Sequence, residues 1–170
     1  MEGEWLNKSN RIDEANTLFE LSLEEDEDQT RAHLWYGINQ ATQKLAGKFY
    51  RPGSLDKEET LSLSTHFFKA KQTGAGHLPR LYIWIGVVWL SSEVYPENRH
   101  MAVLENALAT FPDSCGIATA LALYYARCGR CEKAQALISN ALPMLHASSR
   151  EDLLADFSEI RSIEPIYRTD

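Results

Sequence analysis

Apolar residues return every three or four positions along almost the whole of this 170-residue chain, and strict alternation over the length of a strand is hard to find. That period lines side chains along one side of a helix, so the chain is expected to be all-α, with about eight helices. The first is expected near residues 10–25, with Ile12, Ala15, Leu18, Phe19 and Leu23 on one side and Asn10 as its N-cap. The second covers about residues 29–46 and carries Leu34, Trp35, Ile38 and Leu45. After the turn at Pro52-Gly53, Asp56 with Glu59 reads as a capping box that opens a third helix, whose buried part is expected to be Leu61, Phe67 and Phe68.

Gly74-Ala75-Gly76 closes that helix, and Pro79 suits the first turn of a fourth over residues 79–94. This segment is apolar on nearly every side, so it is expected to be sandwiched between neighbours at the centre of the fold. A fifth helix follows Pro96 with Asn98 as its cap and carries Met101, Leu104, Leu108 and Phe111; a sixth starts at Ser114 and meets a seventh at Gly129. Ser148 with Glu151 marks a terminal amphipathic helix bearing Leu153, Leu154, Phe157 and Ile160 and ending near Pro165.

With 44% apolar and 24% charged residues, the chain has the composition of a globular protein, and residues 1–170 are expected to form a single domain. Its net charge is −7, and residues 1–28 alone hold ten acids against two bases. Such a chain lacks the positive field that draws phosphate backbones or anionic lipid, so neither nucleic acid nor membrane is an expected partner. The run Glu24-Glu25-Asp26-Glu27-Asp28 reads as a solvated helix end. The acidic start shows no secretory leader, and the longest apolar stretch, ten residues, falls short of the ~20 a membrane span needs. With three cysteines and no export signal, a cytoplasmic protein with reduced thiols is expected.

Sliding the chain against itself by 34 residues superposes Val87 on Leu121, Val88 on Ala122, Leu104 on Ile138, Ala107 on Ala141 and Leu108 on Leu142. A unit of two antiparallel helices at that period cannot bury its apolar side alone, so copies must stack and share a core. Ala122, Tyr125 and Gly129, followed by Ala134 and Ala141 on the next helix, stand at the small, aromatic and turn-glycine places of the tetratricopeptide repeat (TPR) family, which the chain resembles. The best-matching units are 81–114 and 115–148. The first of these has His100 where the second has Ala134, and it lacks the turn glycine. A weaker unit spans 30–73, with an insertion around residues 46–56 and a longer second helix, and residues 149–163 form a capping helix. The resemblance implies stacked antiparallel helix hairpins in a right-handed superhelix.

It also implies a function: a non-catalytic adaptor or chaperone that holds an apolar segment of a protein or peptide partner in a trough lined by the first helix of each pair. The inward places fall on Tyr82, Ile85 and Trp89, on Thr119 and Leu123, and on Leu34, Ile38 and Ala41. The lysines and asparagines with which some members grip a terminal carboxylate are not in these places. Other readings of the same residues stay open. A tryptophan and tyrosine row at helical spacing also suits a core, the C-terminal helix can fill the trough itself, and the same surface can pair two copies of the chain or serve an obligate subunit of a helical complex.

Cys128-Gly129-Arg130-Cys131 has the spacing of a dithiol redox motif or half of a zinc site, which is the enzymatic alternative. No strand-helix unit accompanies it, and no second Cys-x-x-Cys or histidine pair completes four ligands. His33, His66, His77, His100 and His146 are scattered, and neither a nucleophile elbow nor a glycine-rich phosphate loop is present. No catalytic, cofactor-binding or metal-binding residue is expected.

Overall fold

The computed structural model describes residues 11–94, 98–145 and 147–162; Asn10, Pro96, His146 and Pro165 lie outside the described residues, as do the side chains of Asn98 and Ser148. Eight helices follow in order: α1 (Ile12–Glu25), α2 (Thr30–Leu45), α3 (Lys57–Thr73), α4 (Pro79–Ser91), α5 (Asn98–Thr110), α6 (Cys115–Arg127), α7 (Cys131–Ala141) and α8 (Ala147–Ser162). No strand occurs among the described residues, so the fold is all-α.

Local chemistry sets the helix ends. The Oδ1 of Asp56 accepts the Glu59 amide at 2.8 Å, and the Oε2 of Glu59 accepts the Asp56 amide at 3.1 Å, so the two residues close a capping box at the start of α3. Ser114 accepts the Ile117 amide at the start of α6, and Gly129 takes φ +74° in the turn to α7, a conformation open to glycine at little cost. Helix α4 ends at Ser91 rather than at residue 94. The Leu55 amide donates to the Ser91 carbonyl at 2.9 Å and the Glu93 amide to the Leu55 carbonyl at 2.8 Å, so the incoming loop replaces the last helical turn. Helix α8 begins at Ala147, one residue before the expected cap, Ser148.

The packing is that of stacked hairpins. Helices α2 and α3, α4 and α5, and α6 and α7 pack in pairs; α4 also touches α2 and α3, and α6 touches α4, α5 and α8. One apolar cluster runs from Leu34 to Ile160, and Ala15, Phe19 and Ala32 form a second under α1. The residues related by the 34-residue shift share their burial: Val87 and Leu121, Val88 and Ala122, Leu104 and Ile138, and Ala107 and Ala141 are all interior. Two expectations for apolar residues are corrected. Leu61 is 67% exposed, because the side of α3 that enters the core carries Leu63, Phe67 and Ala70, and Leu154 is exposed on α8 while Leu153 and Ile160 are buried.

The tightest point is where α4 passes α6. A Cβ on Gly86 would lie 2.7 Å from the Cβ of Ala120, its counterpart 34 residues on, and a Cβ on Gly116 would lie 2.5 Å from the Cδ1 of Ile83. Alanine at position 86 favours the helix by about 1 kcal/mol through propensity, but two methyl carbons on adjoining backbones cannot share that space, and overpacking of this kind costs about 1–3 kcal/mol. Gly86→Val, which meets the same contact with a larger side chain and without alanine's helix preference, is therefore expected to lower the unfolding free energy by at least about 1 kcal/mol, measured by urea denaturation. An unchanged or higher midpoint would show that the two helices are free to separate.

Candidate functional site

Leu34, Ile38, Ala41, Tyr82, Ile85, Trp89 and Leu123 are buried within the chain, and Thr119 alone of the eight expected lining residues is half-exposed. Their surface is taken up by neighbouring helices. The Tyr82 ring lies 6.0 Å from that of Phe111, and its hydroxyl donates to the Gly76 carbonyl at 3.1 Å. Trp89 sits between His100, edge-on at 5.0 Å, and Phe68 at 6.1 Å. Folded in this way, the chain presents them chiefly as packing residues, Trp89 also showing an edge to the surface groove between α3 and α5.

The opposite side of α4 is covered by the chain itself. Trp84, five residues or about 140° around the helix from Trp89, meets Phe49 of the 46–56 insertion in a T-shaped contact at 5.8 Å. Helix α8 lies on α6 with Leu153 and Ile160 in the main core. Arg51 of the insertion pairs with Glu159 of α8 at 3.3 Å, and Tyr50, Arg51, Asp156 and Glu159 line one small cavity of about 160 Å³. Burial, and then repulsion from Asp152 and Glu159, push the Asp156 carboxyl up to about 6 against the opposing pull of Arg51. Burial and the Asp156 charge push the Tyr50 hydroxyl up as well.

The open apolar surface lies on the other side, in two grooves separated by α5. A cavity of about 650 Å³ between α5 and α7, floored by α6, is lined by Leu108, Ala109, Ala118, Leu121, Leu137 and Met144 among others. A second, of about 490 Å³, runs between α3 and α5 over the end of α4 and is lined by Leu61, Phe68, Trp89 and Val94, with Lys57 and Lys69. In each, the first helix of a hairpin forms the floor and the second helices of two successive hairpins form the walls. Leu61 and Phe68, two turns apart, form a second apolar stripe on α3 beside the core stripe Leu63, Phe67 and Ala70, and that doubling was the signal of a groove available in the sequence.

The fold also brings together side chains that the sequence leaves apart. The Nδ1 atoms of His33 and His66 are 3.0 Å apart, and the Nε2 of His33 lies 2.8 Å from the Glu27 carbonyl. A carbonyl only accepts, so Nε2 of His33 carries the proton, its Nδ1 is bare, and His66 donates through Nδ1. Burial, and then the repulsion a second proton on the His33–His66 pair would meet, hold His66 below the usual histidine range. Two imidazoles do not make a metal site, and among the described residues no group of three or more histidine, cysteine or acidic side chains is placed to hold an ion. Cys128 is buried and Cys131 exposed. Burial pushes the Cys128 thiol up against the pull of Arg130 and Arg127, the reverse of what a reactive thiolate requires.

No family model and no curated protein matches this chain. Among solved structures it is similar to a thermophilic TPR protein of Thermus thermophilus, at 22% identity and a TM-score of 0.48, over 95% of this chain and 96% of that one. At that distance the likeness carries no argument about a site or a partner; the stacked-hairpin arrangement stands on the contacts of this chain.

Two pH responses follow from these groups. A carboxyl raised in the docked state favours docking below its free value of 3.8, and the gain is lost as pH rises through about 6, so α8 is expected to be held more firmly at pH 5 than at pH 7.5. Amide exchange in α8, corrected for intrinsic rates, should slow accordingly, and Asp156→Asn should remove the difference. His66 acts in the opposite sense: its pKa is lowered by folding, so its contribution is complete above 6.5 and declines as pH falls below that value. In an Asp156→Asn background, which removes the opposing response, the midpoint of thermal unfolding is expected to fall between pH 6.5 and 5, and less steeply when His66→Gln is added.

Proposed function

We propose that this chain is a non-catalytic protein-interaction module, an adaptor or a dedicated chaperone of the cytoplasm, which holds an apolar segment of a partner protein in the groove between α5 and α7. The observation that supports this most is the contrast between its two sides. The insertion and α8 cover inner surfaces of α4 and α6, while the outer face keeps an unfilled apolar groove of about 650 Å³. An unfilled apolar concavity of that volume lies within the size range of pockets that hold ligands and peptide side chains.

The magnitudes limit what the groove can take. Micromolar affinity corresponds to about 8 kcal/mol, which at about 25 cal/mol per Å² needs roughly 300 Å² of apolar burial beyond what offsets the cost of association. A partner segment must therefore fill the length of the groove and touch both walls. The small side chains Ala109, Ala118 and Ala136 let a backbone approach closely, and Leu108, Leu121 and Leu137 supply the apolar contact. A protein partner suits a net charge of −7 better than nucleic acid does, and among the described residues no helix is long and apolar enough to cross a membrane.

Ala109 and Ala136 are exposed positions on α5 and α7 at the edge of this groove, so arginine there obstructs it without touching the core. Ala109→Arg with Ala136→Arg is expected to leave the thermal midpoint unchanged and to abolish capture of the partner in a pull-down from native extract. Cys128→Ser with Cys131→Ser should leave capture intact, whereas a thiol redox protein would lose its activity. Equal capture by the wild-type chain and the double-arginine variant would refute the assignment of the groove.

A further inference from the structure

We propose that the groove between α3 and α5, floored by Trp89, is a second docking site, and that its occupant is an amphipathic helix of a partner protein with an apolar stripe flanked by carboxylates at both ends. This rests on the reading of the chain as an interaction module, but on a different groove and on different observations. The floor and walls are apolar: Leu61 is 67% exposed, Val94 is 49% exposed, and Phe68 and Trp89 lie behind them. Leu61 and Phe68 repeat at a two-turn interval along α3, so a rod laid alongside meets apolar contacts at helical spacing.

The lining of the groove holds lysines but, among the described residues, no acid. The protein carries −7 overall, yet Lys57 and Lys69 stand toward the two ends of the α3 wall, Gln72 lying one turn beyond Lys69, and the acids Glu93 and Asp28 lie outside the lining. The two lysines are twelve residues apart on α3, about 18 Å along its axis. Lys57 is the first residue of that helix, where the dipole disfavours a cation, so helix stability does not account for it. Its backbone amide, not its ammonium, donates to Glu93 at 3.0 Å. Lys69 lies 3.6 Å from Asp28, but both groups are exposed, and a surface pair of this kind is worth at most about 1 kcal/mol and yields readily to a competing carboxylate.

Two separated cations call for two separated anions. A single-headed amphiphile meets only one of the lysines, whereas a helix of about twelve residues reaches both. The apolar stripe supplies affinity, and the end charges set polarity and exclude basic helices by like-charge repulsion.

The test is a selection followed by titration. A phage-displayed library of random 16-residue peptides is panned on the full chain, with counter-selection on Leu61→Ser combined with Lys57→Glu and Lys69→Glu; all three positions are exposed or at the surface, so thermal melts of the variant should match wild type. The enriched peptides are expected to carry apolar residues three and four apart with acids about twelve apart. Each should bind wild type, quench Trp89 fluorescence (assigned with Trp89→Phe), and lose at least tenfold in affinity on the double lysine reversal and again on Leu61→Ser.

Those peptides should bind Ala109→Arg with Ala136→Arg undiminished, which separates this groove from the one between α5 and α7. Enriched peptides without acids, affinities within twofold on charge reversal, or no enrichment over the counter-selected variant would each overturn the proposal. So would sedimentation showing that the chain self-associates through Leu61, which makes the occupant a second copy. Peptides that enrich but are lost only on the double-arginine variant would overturn this inference and leave the interaction module standing; the absence of peptides for either groove would remove both.

Discussion

Gly86 of α4 lies so close to Ala120 of α6 that no side-chain carbon fits between them. That approach brings the first helices of two successive hairpins together at the middle of the stack and commits the side chains on either side of it to particular neighbours. Ile85 and Leu90 go to the interior, Trp84 is turned toward the insertion, and Trp89 toward α3 and α5. A wider separation of α4 from α6 would open the core to water and move the walls of both outer grooves, because α5 and α7 are each packed on α6.

From this arrangement comes the division of the surface. Hairpins stacked in a row have one side made of first helices and another of second helices, and in this chain the first-helix side receives its own cover. The 46–56 insertion brings Phe49 onto Trp84, α8 lies along α6, and the pair Arg51 and Glu159 joins the two. Second helices, by contrast, stand apart with only a first-helix floor between them, and the space they leave is apolar and unfilled. Asp156 lies half-buried in the covering layer, where burial and the neighbouring acids Asp152 and Glu159 raise its carboxyl.

Much of the fold was legible in the residues. Asp56 and Glu59 announce the start of α3 because the hydrogen bonds that cap a helix are made by neighbours three apart, and Gly129 marks a turn because its φ of +74° suits glycine. The helix identities and the interior places of Val87, Leu104, Leu121 and Ile138 follow from period alone. The site was less legible. The sequence pattern groups Leu61 and Phe68 with Phe67 on one buried side, yet α3 has two apolar stripes, and only the positions of α2, α4 and α5 determine which is covered. His33 and His66, 33 residues apart, carry no shared pattern, and their contact at 3.0 Å arises from the crossing of α2 and α3.

What the sequence determined by itself is local: the helical period, the caps and turns, the 34-residue spacing of the second and third hairpins, and an acidic charge balance ill suited to phosphate backbones. The tertiary structure decided which apolar residues are spared from the core, that the insertion and α8 cover inner surfaces of α4 and α6, and that grooves remain between second helices. The reason is one of range. Backbone hydrogen bonding and side-chain period act over three or four residues, whereas exposure depends on what other segments of the chain occupy the adjoining space, and that is settled only when all the helices are in place.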